Sequence, residues 1–174
     1  MKKRLLNIIL GVIAACVLFV AFLAVNNDIG VRASRLEEDI RTGQKISDAW
    51  TVEGSVSDRM AAFLSYPQDR SEHTFSIYIK HSGLSFGYFF RAGGNLAGVE
   101  DHIAEFSLKG YPERAFLSMN APKVVKLEVD NGTGIQVIDL DRDKPFAIVL
   151  PVDAGDLTFY DENGQVVEVY LSRG

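Results

Sequence analysis

Hydrophobic and polar positions divide the chain into two unlike parts. From Leu5 to Val25 it reads LLNIILGVIAACVLFVAFLAV, twenty-one residues without a charge, directly behind Met1-Lys2-Lys3-Arg4. At roughly 1.5 Å of rise per residue, such a helix reaches about 31 Å, the hydrocarbon thickness of a bilayer. A single transmembrane helix is predicted, making the lipid bilayer the first expected partner. The basic cluster before it keeps the amino terminus in the cytoplasm and sends the rest outside.

Beyond residue 28 the period changes. Ser34-Arg35-Leu36-Glu37 has the spacing of a capping box, which predicts a short helix running to about Thr42 and stopped by Gly43. Ile29, Ala33, Leu36 and Ile40 repeat at coiled-coil spacing over only two heptads. The preferred reading is therefore a solvated tether with one apolar edge docked on the following domain. Trp50, the only tryptophan, is a core or edge plug.

Strand-like alternation follows. Met60, Ala62, Leu64 and Tyr66 mark a strand over Arg59 to Tyr66, although Ser57 could instead cap a short helix there. Phe75, Ile77 and Ile79 share one face of Thr74 to Lys80. Leu84 to Arg91 sets Phe86, Tyr88 and Phe90 against Ser85, Gly87, Phe89 and Arg91, and Ala92-Gly93-Gly94-Asn95 ends the run. Further strands are expected at His102 to Leu108, Arg114 to Met119, Lys123 to Asp130 and Ile135 to Leu140, with an Asn131-Gly132 hairpin turn between the last two. Phe146 to Leu150 is apolar on both faces and should lie mid-sheet. Leu157 to Tyr160 and Gln165 to Leu171 form a last hairpin. About nine short strands with almost no helix argue for an all-β domain, an antiparallel β-sandwich, immunoglobulin-like or a partly closed barrel. The Leu157 to Leu171 hairpin resembles those of immunoglobulin-like bacterial surface modules. The organisation expected is a cytoplasmic stub (1–4), a transmembrane signal anchor (5–25), a juxtamembrane tether (26–54) and one extracytoplasmic β-domain (55–174).

Charge narrows the partners. All 23 acidic residues follow Asn27, whereas three of the 18 basic ones lie in the stub, leaving 15 against 23 outside. That balance disfavours nucleic acid and anionic headgroups. The one cysteine, Cys16, lies in the apolar run, so the domain must hold without disulfides, as expected of a bacterial cell envelope. Ile13-Ala14-Ala15-Cys16 resembles the lipobox of bacterial lipoproteins, which implies lipidation at Cys16. Val17 to Val25 continues apolar where those proteins carry a polar tether, so the uncleaved anchor is preferred to lipidation and to simple signal cleavage.

Candidate chemistry is sparse, and no motif implies a cofactor. Gly83-Leu84-Ser85-Phe86-Gly87 matches the G-x-S-x-G of α/β-hydrolases, but strand rather than helix should follow the serine. Asp139, Asp141 and Asp143 copy the first half of a calcium loop, whose glycine is here Lys144 and whose glutamate is Leu150. His73, His81 and His102 have no zinc-site spacing. The aromatic run 86–90 is too dense for one buried face; cover on both faces is preferred, the other option being an exposed binding patch near Tyr88, Phe89 and Arg91. The leading functional expectation is a non-catalytic binding module at the outer face of the cytoplasmic membrane. The alternatives are a small envelope hydrolase, using Ser85 or a carboxylate pair, and a calcium-stabilised spacer.

Overall fold

The computed structural model describes residues 2–25, 28–83, 85–95, 99 and 101–173. Helix α1 runs over Lys2–Val25, and its Arg4–Leu23 portion, with a mean hydropathy of 2.8, is long and apolar enough to cross a membrane. Every described side chain from Arg4 to Val25 is exposed except Leu23, which is 4% exposed. A helix apolar all round and uncovered by protein is stable only in a nonaqueous surrounding.

The rest is mostly β. After a 3-10 turn at Ala33–Arg35 and helix α2 at Leu36–Gln44 come, among the described residues, twelve strands. They are β1 Thr51–Val56, β2 Met60–Tyr66, β3 Thr74–Ile79, β4 Phe89–Gly94, β5 Ile103–Ser107, β6 Glu113–Ser118, β7 Val124–Asp130, β8 Ile135–Asp139, β9 Phe146–Pro151, β10 Asp156–Asp161, β11 Val166–Val167 and β12 Val169–Arg173. They form three four-stranded sheets, ordered β1-β2-β3-β4, β12-β5-β6-β9 and β11-β10-β7-β8. Every pair is antiparallel except β12 with β5.

Period-2 geometry explains how the sheets stack, because successive side chains leave a strand on opposite faces. Met60, Ala62, Leu64, Phe75 and Ile77 of the first sheet meet Ala104, Phe106, Ala115 and Leu117 of the second. The opposite face of that second sheet, with Ile103, Phe116 and Phe146, packs on Val124, Leu127, Val129 and Phe159 of the third. A sheet covered on both sides needs apolar residues in continuous runs. This is why Ile103 to Phe106 and Ala115 to Ser118 are buried without a break.

Several expectations are corrected. The apolar strand β9 does have cover on both faces, but it lies at the edge of its sheet, where the Ser55 hydroxyl accepts the Val149 N–H at 2.8 Å. Thr51 to Gly54, placed by the sequence in the tether, pairs with Phe63 to Tyr66 as part of β1. The capping box is not formed: Ser34 lies inside the 3-10 turn, the residue capping α2 is Arg35, with no side-chain hydrogen bond, and Glu37 instead accepts Arg41 at 2.7 Å one turn on. Helix α2 passes Gly43 and stops at Lys45, whose φ of 56° is left-handed. The closing hairpin splits at Glu168: β11 stays with β10, while β12 crosses to pair with β5.

Two polar side chains tie the layers together. The Ser57 hydroxyl and the Arg59 N–H both donate to the buried Glu113 carboxylate, at 2.5 and 3.2 Å, so Ser57 fastens the β1–β2 turn to β6. Asn120, 3% exposed, stands between β6 and β7. Its amide nitrogen lies 3.2, 3.0 and 3.2 Å from the carbonyls of Val124, Asp141 and Arg142, and its oxygen accepts the Val124 N–H at 2.8 Å.

Candidate functional site

The segment 28–31 is sewn onto the domain. Ile29 bridges to Phe86 and Val31 to Tyr88, with Gly30 N–H donating to Phe86 O at 2.6 Å and Val31 and Tyr88 exchanging bonds of 2.8 Å. Glycine makes this approach possible. A Cβ on Gly30 would lie 2.5 Å from the Tyr88 carbonyl oxygen, and one on Gly87, itself at a φ of 88°, 2.7 Å from the Gly30 and Val31 backbone.

Helix α2 then lies across the outer face of the first sheet. Leu36 and Ile40, one turn apart and each 1% exposed, pack on Ala61, Tyr78 and Tyr88, which is the apolar stripe of an amphipathic helix. Its other flank faces a groove of about 580 Å³ lined by Gly30, Val31, Arg32, Arg35, Glu38, Asp39 and Thr42. Asp39 and Thr42 also line a second recess of about 290 Å³, completed by Ile40, Gly43, Gln44, Tyr78 and Phe90. A charged groove and a recess with aromatic lining thus adjoin at Asp39 and Thr42. Asp39 is engaged, accepting the Tyr78 hydroxyl at 2.6 Å, and Thr42 donates to the Glu38 carbonyl at 3.0 Å. Among the described residues the side chains of Arg32, Arg35 and Glu38 have no ion pair or hydrogen bond, so two cations and one carboxylate remain open to a ligand.

Burial, then the hydrogen bond to Asp39, raises the Tyr78 phenol above its ordinary value. Burial and the Glu53 carboxylate do the same to Tyr66, and burial raises Tyr111. Each group is held neutral by the fold, so its contribution is complete below the unfolded value of about pH 10 and is lost as pH rises further. Denaturant unfolding of the full chain in detergent micelles is expected to keep its midpoint from about pH 7 to 9 and to fall steeply above about pH 10. The Tyr78→Phe variant should show a shallower fall; an unchanged slope would remove Tyr78 as a cause.

The residues singled out in the sequence fare differently. Tyr88, at 5% exposed, is not part of a surface patch: α2 covers it, its hydroxyl donates to Ser57 O at 2.5 Å, and Lys80 sits 4.8 Å above its ring. Phe89 is half-buried and stacks on His81 at 3.9 Å, while Arg91 is exposed. The expected cover on both faces of the aromatic run fails as well, since Phe86 and Phe90 are each 55% exposed. Of that run, Phe90 lines the second recess.

Asp139, Asp141 and Asp143 do not converge, and among the described residues no group of three His, Cys, Asp or Glu could hold a metal. Asp143 accepts Lys123 at 3.0 Å and Arg142 at 3.2 Å, which hold its carboxyl below the usual range. Asp141 accepts the Asp143 N–H at 3.0 Å. These contacts fasten a turn. The Ser85 hydroxyl donates to the His81 carbonyl at 3.0 Å, with no helix behind it, and Leu84 of the same motif lies outside the described residues. Cys16 is exposed within the unbroken α1. Sequence reasoning passed over Arg32, Arg35 and Glu38, whose only signal was their position between the apolar helix and the domain. The chain matches no protein-family model, no curated protein and no solved structure.

Proposed function

We propose that this is a single-pass protein of the bacterial cytoplasmic membrane, amino terminus inside, whose outer part is a sandwich of stacked sheets acting as a non-catalytic binding module. The observation that carries the reading is the continuity of parts. An uncovered apolar helix is followed within about ten residues by a groove in which, among the described residues, the side chains of Arg32, Arg35 and Glu38 have no ion pair. Two guanidiniums and one carboxylate beside an aromatic recess suit an extended segment bearing both charge signs and an apolar side chain. A loop of another envelope protein or a peptide of the cell wall has that chemistry. Ser85 is not among the described residues that line the groove, and Thr42 spends its proton on its own helix, which favours binding over serine or threonine chemistry there.

A photoreactive amino acid placed at Thr42 of the full chain tests this. Irradiation of intact cells is expected to yield one discrete adduct: a band of fixed mass for a protein, or material freed by wall digestion for a cell-wall peptide. Arg35→Glu should lower its yield at least about tenfold, because reversing a charge turns attraction into like-charge repulsion. No adduct, or one indifferent to Arg35→Glu, would refute the groove as the binding surface.

A further inference from the structure

Ile29 and Phe86 are large apolar side chains left 50% and 55% exposed, and they stand side by side across a parallel bridge. Their place along the chain gives the pair its meaning. The Asp28 N–H donates to the Leu23 carbonyl at 2.9 Å, which holds Asp28 beside the last turn of α1. Leu23 is buried although the helix before it is bare. Ile29 comes next, and Phe86 is fastened to it by the Phe86 N–H donating to Asp28 O at 2.8 Å and the Gly30 N–H donating to Phe86 O.

We propose that Ile29 and Phe86 form a second membrane contact, an apolar foot that rests in the outer headgroup layer and seats the domain on the bilayer. The proposal rests on the reading of α1 as a membrane span. That layer is about 5–7 Å deep on each side of the hydrocarbon, and side chains held level with the end of the spanning helix fall within it. Aromatic and aliphatic side chains at this depth bury their bodies among the upper acyl chains, as interfacial anchors do. The acidic balance of the domain is no obstacle, because the contact is apolar. Of the charges nearest in sequence, Asp28 is outnumbered by Arg32 and Arg35, both exposed.

The test uses the full chain carrying Trp50→Phe and Phe86→Trp, so that one indole reports, reconstituted into phosphatidylcholine vesicles doped with lipids brominated either close to the headgroup or near the chain end. Retention after alkaline carbonate extraction is measured on the same vesicles. The expected result is a retained chain with blue-shifted emission, quenched most by the shallow bromine. A retained chain with water-like emission would overturn the foot while leaving the span intact. A blue shift that no bromine quenches would also overturn it, showing a second copy or other protein as the cover. Loss of the chain on extraction would overturn the span and the foot together. Ile29→Trp in the same background gives an independent reading from the neighbouring side chain.

Discussion

Asn120→Leu is expected to destabilise the full chain in detergent micelles by about 4 kcal/mol, a large part of the roughly 5–15 kcal/mol that holds a domain of this size. Three carbonyls and the Val124 N–H lose their partner, and a buried donor or acceptor left unmade costs about 1–3 kcal/mol. The φ of 59° at this position adds about 1–2 kcal/mol for leucine, whereas asparagine tolerates the left-handed region. Asn120→Asp separates the two effects. It keeps an oxygen for the Val124 N–H and much of the backbone tolerance but turns a carboxylate towards three carbonyls, so it should also be strongly destabilising. If the urea midpoint of Asn120→Leu moved by less than the equivalent of about 1 kcal/mol, the amide would not be the clasp between the β6–β7 connection and the 141–142 turn.

The second large effect concerns the anchor. Fourteen Leu, Ile, Val and Phe residues lie between Leu5 and Val25, and at roughly 0.3–0.6 kcal/mol each they favour insertion by about 4–8 kcal/mol. One aspartate near the centre costs roughly 2.5–3.5 kcal/mol. Val12→Asp alone should therefore weaken insertion without abolishing it. The double variant Val12→Asp with Ala15→Asp costs about 5–7 kcal/mol and should move most of the chain into the carbonate-soluble fraction, while Val12→Leu stays in the pellet. Protease added outside intact cells is expected to digest the domain of the unaltered chain. Resistance that ends only on lysis would reverse the proposed orientation.

Much of the β framework was legible because side-chain period alone dictates it. Met60, Ala62, Leu64 and Tyr66 alternate, and β2 sends all four into one core. What escaped depends on contacts between distant segments. Thr-Val-Glu-Gly-Ser-Val carries too little apolar alternation to announce β1, which exists because β2 offers its edge. Strand β4 begins at Phe89 and continues through Gly93 and Gly94, residues that read locally as a stop. The S-x-x-E spacing at Ser34 and Glu37 was genuine, but a stronger local partner, Arg41, took the carboxylate. For the groove, apolar Leu36 and Ile40 foretold a docked helix. Which flank of that helix stays open depends on the pairing of residues 29–31 with 86–88, across more than fifty positions of sequence.

The crossing of β12 into the middle sheet also governs when the domain can form. Its partner β5 is made far earlier, so during synthesis that strand waits with an open edge until the segment after Glu168 has emerged. Long-range pairing of this kind is slow, and an unpaired edge invites association with other chains. A nascent chain of this architecture should be prone to association until β12 has paired.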